Sequence, residues 1–209
     1  MSEAHLHRVD DAVKETDSHD QRAHPRFALL LRGAKLIGPS GEFLCIIRDI
    51  SGTGARLRLF HPIVDVTGLS LEIVPGQRFD VEKVWVNDDE AGFHFADAID
   101  VKLFVNGKAA LPKRSVRLLV SHPATLSYSG YTNAATIHDL SREGARISTP
   151  ERLAITQTVR LESDHLPPVE ASVRWRRHPD YGLAFHQVMS MQELALRVHK
   201  IQLSRLGKP

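Results

Sequence analysis

Two arginines, Arg22 and Arg26, stand four residues apart, and Asp49, Ser51 and Gly54 follow as a compact D-x-S-x-x-G. A guanidinium is planar and always charged. It donates paired hydrogen bonds to phosphate oxygens or a planar acceptor edge, and it stacks on aromatic faces. Asp49 offers a carboxylate to N–H donors, and Ser51 a hydroxyl to ligand or backbone. Gly54 permits either a positive φ or a close backbone approach. The bland reading is a solvated arm followed by a self-capped turn, since Asp and Ser cap local backbone on their own. The ordered pairing of arm and turn favours ligand binding. No G-x-S-x-G, phosphate-cradling glycine loop or paired carboxylates accompany them, so the chain reads as a non-enzyme.

The elements that must position these groups read as strands. Pro25 disfavours helical geometry at His24, which makes residues 22–26 an extended arm. Ala55, Leu57 and Leu59 alternate with Arg56 and Arg58, the period of a half-buried strand. Gly38-Pro39-Ser40-Gly41 and Ser129-Gly130 read as hairpin turns. Short strands between such turns favour small antiparallel barrels.

The chain also repeats itself. Asp49-Ile50-Ser51-Gly52-Thr53-Gly54-Ala55-Arg56 returns as Asp139-Leu140-Ser141-Arg142-Glu143-Gly144-Ala145-Arg146, an offset of 90 residues (139 less 49). At the same offset Trp85 matches Trp175, and Gly92-x-x-Phe95 matches Gly182-x-x-Phe185. Constant register over three separate features indicates a tandem duplication. The second copy departs in its arm. Lys113-x-x-x-Arg117 stands where the first copy has two arginines, one residue nearer the turn (22 residues from Arg117 to Asp139, 23 from Arg26 to Asp49). A lysine lacks the plane and fork of a guanidinium. Gly52 also gives the first turn a freedom that Arg142 denies the second.

The ordered set R-x-x-x-R, then D-x-S-x-x-G, then a G-x-x-F strand resembles the PilZ domain family, over residues 20–104 and more weakly 110–205. The resemblance implies an all-β fold: two tandem six-stranded antiparallel barrels, here with a C-terminal α-helix. It implies a cyclic di-GMP site made of Arg22, Arg26, Asp49, Ser51 and Gly54, in which Asp49 accepts from the guanine N1–H and N2 donors. A second site at Lys113, Arg117, Asp139, Ser141 and Gly144 is expected to be weak or silent. Gln21 stands where some family members carry another arginine that helps hold an intercalated pair, which favours a single bound nucleotide. The implied role is a receptor or adaptor for this second messenger, relaying it to a protein partner in motility, biofilm or exopolysaccharide control. The alternative is a ligand-independent PilZ-like interaction module.

The domains expected are a disordered polar tail over 1–20, a first domain over 21–105 and a second over 110–206. Ser190-x-x-Glu193 reads as a capping box for the one strong helix, whose stripe Met191, Leu194, Val198 and Ile201 packs on its own barrel. Ala96–Phe104 reads as a short, weaker helical segment in the first copy, with Asn106-Gly107 opening the linker.

Composition bounds the rest. The 27 basic and 25 acidic residues leave a formal charge of +2, which argues against a nucleic-acid-coating role despite the cluster Arg174, Arg176, Arg177 and His178 beside Trp175. Cys45 is the single cysteine and lies in the apolar run Phe43–Ile47, so it reads as a buried hydrophobe. The twelve histidines suggest no metal site, His5 and His7 lying in the polar tail. No apolar run reaches the roughly 18 residues of a membrane span. The expected setting is cytoplasmic.

Overall fold

The computed structural model describes residues 27–101 and 115–206. The first copy comprises β1 (Phe27–Gly38), β2 (Gly41–Ile50), β3 (Gly54–Leu59), β4 (Leu69–Val74), β5 (Gln77–Asn87) and β6 (Glu90–Phe95). They close antiparallel in the order β1-β2-β3-β6-β5-β4. The second comprises β7 (Leu118–Tyr128), β8 (Tyr131–Ser141), β9 (Gly144–Ser148), β10 (Thr158–Ser163), β11 (Leu166–Arg177) and β12 (Asp180–Phe185), closed in the equivalent order. A helix, α1 (Met191–Leu206), ends the described chain. The two barrels and single C-terminal helix are the architecture expected.

Alternation builds each interior. In β3, Ala55, Leu57 and Leu59 are buried while Arg56 and Arg58 face outward. Leu36, Cys45, Ile47, Leu71 and Phe95 complete the first core, and Leu126, Ile137, Ile147, Val173 and Tyr181 serve the second. Burial pushes the Cys45 thiol up to about 12, so it is an inert core group. The expected turns form: at Ser129 and Gly130 both φ angles are positive (48° and 81°), as a two-residue hairpin loop requires. Closure leaves neither barrel an open sheet edge.

The run Phe43–Ile47 does not alternate, and the fold gives the reason. Phe43, Cys45 and Ile47 fill the first barrel, while Leu44 and Ile46 point out of it and are still buried. Leu44 belongs to the core cluster of the second barrel. The helix stripe Leu194, Ala195, Val198 and Ile201 packs into that same cluster, and Ser190 Oγ accepts from the Glu193 N–H at 3.0 Å to start the helix. The helix does more than cover its own barrel. A Cβ at Gly33 would meet Met191 Cε at 2.7 Å, and one at Gly41 would meet Gln202 Nε2 at 2.6 Å. Both glycines are therefore notches in the first barrel that admit helix side chains. His199 of α1 stacks on His61 of the first barrel, ring centres 3.7 Å apart and 11° from parallel.

The short segment after β6 differs from expectation: its described part, residues 96–101, is bend and turn with no helix. Backbone bonds explain it, since the Ala96 and Ile99 N–H groups donate to Asp80 and Gly52 carbonyls rather than within a helical turn. Residues 102–104, Asn106-Gly107 and the 1–20 tail lie outside the described residues.

Candidate functional site

Strict alternation along β2 would turn Asp49 into the barrel with Phe43, Cys45 and Ile47. One extra residue prevents it. Ile47 pairs with Leu57 but Asp49 pairs with Arg56, so Arg48 is a bulge that rotates Asp49 to the outer face. The same device acts on β5, where Lys83 pairs with Phe93 and Trp85 with Gly92, leaving Val84 as the bulge. In the second barrel His138 and Arg174 are the corresponding extra residues, displacing Asp139 and Trp175.

These bulges assemble a row across five strands. Ala28, Asp49, Arg56, Gly92 and Trp85 are successive ladder partners on the first barrel. Leu119, Asp139, Arg146, Gly182 and Trp175 are their equivalents on the second. Arg56 Nε donates to Asp49 Oδ2 at 2.7 Å, and Arg146 Nε donates to Asp139 Oδ2 at 3.0 Å. Each tryptophan lies directly over its glycine, so closely that any Cβ there would collide with the indole. Each indole remains partly open, Trp85 at 43% and Trp175 at 40% exposure.

The turn next to the row is self-supporting. The Ser51 N–H donates to the Gly54 carbonyl at 2.8 Å, and Ser51 Oγ accepts from the Gly54 N–H at 3.2 Å. Ser51 is buried and its hydroxyl serves the backbone. Gly54 needs no positive φ; it is a close approach, its Cβ position 2.6 Å from the Phe93 carbonyl oxygen. In the second copy Ser141 Oγ donates to the Gly144 carbonyl at 3.1 Å, and Gly144 makes the same close approach, here to the Leu183 carbonyl oxygen. Arg142, in place of Gly52, donates from Nε to the Met189 carbonyl at 2.7 Å and ties the second turn to the start of α1.

The first row opens into a cleft of about 220 Å³ lined by Asp49, Ser51, Thr53, Arg56, Trp85 and His94, among others. A carboxylate, a guanidinium and an exposed indole on one surface suit a flat ring that carries N–H donors on its edge. Among the described residues no three His, Cys, Asp or Glu side chains could hold a metal ion.

Asp49, Ser51 and Gly54 are thus neighbours on the first barrel, and Asp139, Ser141 and Gly144 on the second. Arg22, Arg26 and Lys113 lie outside the described residues. Arg117 is described: it directly precedes β7, as Arg26 in the sequence directly precedes β1, and its Nη1 donates to Asp139 Oδ1 at 2.6 Å. The one-residue difference between the copies is taken up inside the strands. Between the pairs with Asp49 and Ile47, β1 advances from Ala28 to Arg32, whereas β7 advances only from Leu119 to His122 between the equivalent pairs. Sequence reasoning missed Arg56, Arg146, His94 and the two tryptophans as site residues. The arginines and tryptophans recur at the 90-residue offset, and that recurrence was the available signal.

The family model described as "PilZ domain" matches residues 20–105 and 112–202. No curated protein matches the chain in sequence. Among solved structures, the Borreliella burgdorferi PlzA protein in complex with c-di-GMP is 12% identical with a TM-score of 0.36, covering 80% of this chain and 87% of that one. YcgR in complex with c-di-GMP from Escherichia coli is 13% identical with a TM-score of 0.31, covering 83% and 84%. The Bacillus subtilis inhibitor of motility is 12% identical with a TM-score of 0.34, covering 87% and 100%.

Proposed function

Because the chain belongs to the PilZ domain family, we propose that it is a receptor that binds cyclic di-GMP on the outer face of the first barrel and relays that binding through rearrangement and protein contact. The observation that carries this reading is the row Asp49–Arg56–Gly92–Trp85. A guanine edge donates N1–H and N2–H to the Asp49 carboxylate, and adenine offers no such pair of donors. Arg56 holds that carboxylate in place while Trp85 presents its open face to the base. The cleft, at about 220 Å³, is smaller than the roughly 300–1,000 Å³ typical of ligand pockets. The remaining ligand surface, including the phosphodiesters, falls to Arg22 and Arg26 on the arm.

In the second barrel both Asp139 oxygens already accept from arginine, Arg117 at Oδ1 and Arg146 at Oδ2. Each oxygen keeps a further lone pair for a guanine donor, so the two copies differ chiefly in the arm. With Lys113 in place of an arginine, the site at Lys113, Arg117, Asp139, Ser141 and Gly144 takes the ligand more weakly than the first. Family members are generally non-catalytic receptors, and a non-catalytic role is the reading taken for this chain. The partner class is a downstream protein of motility or biofilm control, and the setting cytoplasmic, as is typical of the family.

Titration calorimetry tests this. Wild type is expected to release heat with cyclic di-GMP and not with cyclic di-AMP, and Arg26→Ala to weaken binding at least tenfold. Absence of heat with the wild-type chain would overturn the reading in favour of a ligand-independent interaction module.

A further inference from the structure

The joint between the barrels contains a buried charge cluster that neither barrel core requires. Lys35 of β1 and Glu42 of β2 have side chains only 9% and 8% exposed, and the Lys35 ammonium lies 3.1 Å from Glu42 Oε2 and 3.3 Å from Glu72 Oε1. The cluster reaches across the joint twice. Glu42 Oε2 accepts from the backbone N–H of Leu119 at 2.6 Å, and Lys35 Nζ donates to the backbone carbonyl of Arg117 at 3.3 Å. Gln202 of α1 donates to the Glu42 carbonyl at 2.8 Å and fixes the same segment from behind.

Those two backbone contacts flank Leu118. On one side lies Arg117, whose guanidinium rests on Asp139; on the other lies Leu119, the ladder partner of Asp139. The duplication offers an internal comparison. At the 90-residue offset Lys35, Glu42 and Glu72 correspond to Thr125, Thr132 and Glu162, so the second barrel keeps the outer carboxylate but has two exposed threonines in place of the buried ion pair. Buried charges are costly unless they are paired and hydrogen-bonded; Lys35, Glu42 and Glu72 pair within the first barrel, and the bonds to Leu119 and Arg117 extend that cluster across the joint.

We propose that Lys35 and Glu42 of the first barrel are positioning residues for Arg117, so that the second row is completed by both barrels and its arginine leaves Asp139 when the joint opens. Displacement of the first barrel thereby changes the second surface without touching any of its own side chains. The proposal rests on the ligand reading only for its consequence, because the positioning of Arg117 is a property of the unliganded chain.

Amide exchange on the full chain tests the positioning. Glu42→Leu is expected to speed exchange of the Leu119 and Val120 amides at least tenfold while β9–β12 keep their protection. Glu42→Gln, whose carbonyl oxygen still accepts from Leu119, should restore most of it. Unchanged exchange, or an equal rise throughout the second barrel, would overturn the proposal. The ligand consequence is read in a Trp85→Phe chain, where Trp175 is the sole indole. There Glu42→Leu should shift the cyclic di-GMP response at least fivefold, and less than twofold when Arg117→Ala is also present. Additive effects would assign Glu42 a merely structural role. A Trp175 signal that never responds removes the second-barrel ligand reading, and the exchange result alone then decides the positioning.

Discussion

Arg56 Nε lies 2.7 Å from Asp49 Oδ2, one rung away on the ladder, and Arg56 is in turn braced by Glu90 at 3.4 Å. The carboxylate is nearly covered, at 13% side-chain exposure, while the guanidinium is 44% exposed. A half-exposed pair of this kind contributes little to folding but orients an acceptor well. Arg56→Leu should therefore leave the unfolding temperature within a degree or two of wild type. It should weaken cyclic di-GMP binding about tenfold, on the order of 1.4 kcal/mol. Calorimetry and thermal unfolding on one preparation would separate the two effects.

Gly92 exists to seat an indole. Gly92→Ala puts a methyl group where the Trp85 ring lies, so the ring must leave the row. We expect a shift in Trp85 emission and ligand binding reduced to the level of Trp85→Ala. Gly182→Ala should shift Trp175 emission instead and leave binding at the first barrel intact.

Leu44 faces away from its own barrel yet is 2% exposed in the core of the other. Leu44→Ala should cost about 2–4 kcal/mol in denaturant unfolding, the range of a true core truncation. A value below about 1 kcal/mol would mean that the joint is not packed in solution.

The stacked imidazoles His61 and His199 make the joint sensitive to acid. Burial lowers both below the ordinary histidine value of 6.5, and His199 further disfavours a charge on His61. The pair also meets the Pro62 carbonyl, which accepts from His61 Nδ1 at 3.0 Å, and the edge of the Phe43 ring. A depressed folded value means that the unfolded chain binds protons more readily. The stabilisation is therefore full above about pH 6.5 and is lost as pH falls through the folded values. Wild type should lose more unfolding temperature between pH 7.5 and 5 than the double variant His61→Phe, His199→Phe, which keeps two stacked rings and cannot titrate.

Much of the fold was legible because the duplication displays each element twice, and alternation in β3 together with the hairpin turns assigned the strands directly. The turn residues Asp49, Ser51 and Gly54 could be read from their spacing. Asp49 and Trp85 could not be assigned a face, because bulges at Arg48 and Val84 reverse the parity that alternation assumes. Arg56 looked like one more solvent-facing residue of a strand until its ladder neighbours were known. The joint left a readable trace in the unbroken apolar run Phe43–Ile47, together with Lys35 and Glu42 standing where the other copy has threonines. That trace signifies a strand buried on both faces, and a single sequence does not say what covers the second one.

The covered outer face of β2 bears on how the two copies can be used. Duplicated barrels are usually imagined as interchangeable beads, each able to be excised, swapped or expressed alone. Here a chain cut after the first barrel would present Leu44 to water and strip Glu42 of its cross-joint partner, and one beginning at the second barrel would lose an apolar group from its own interior. The duplication has matured from two copies into one object, the first half lending a side chain to the interior of the second.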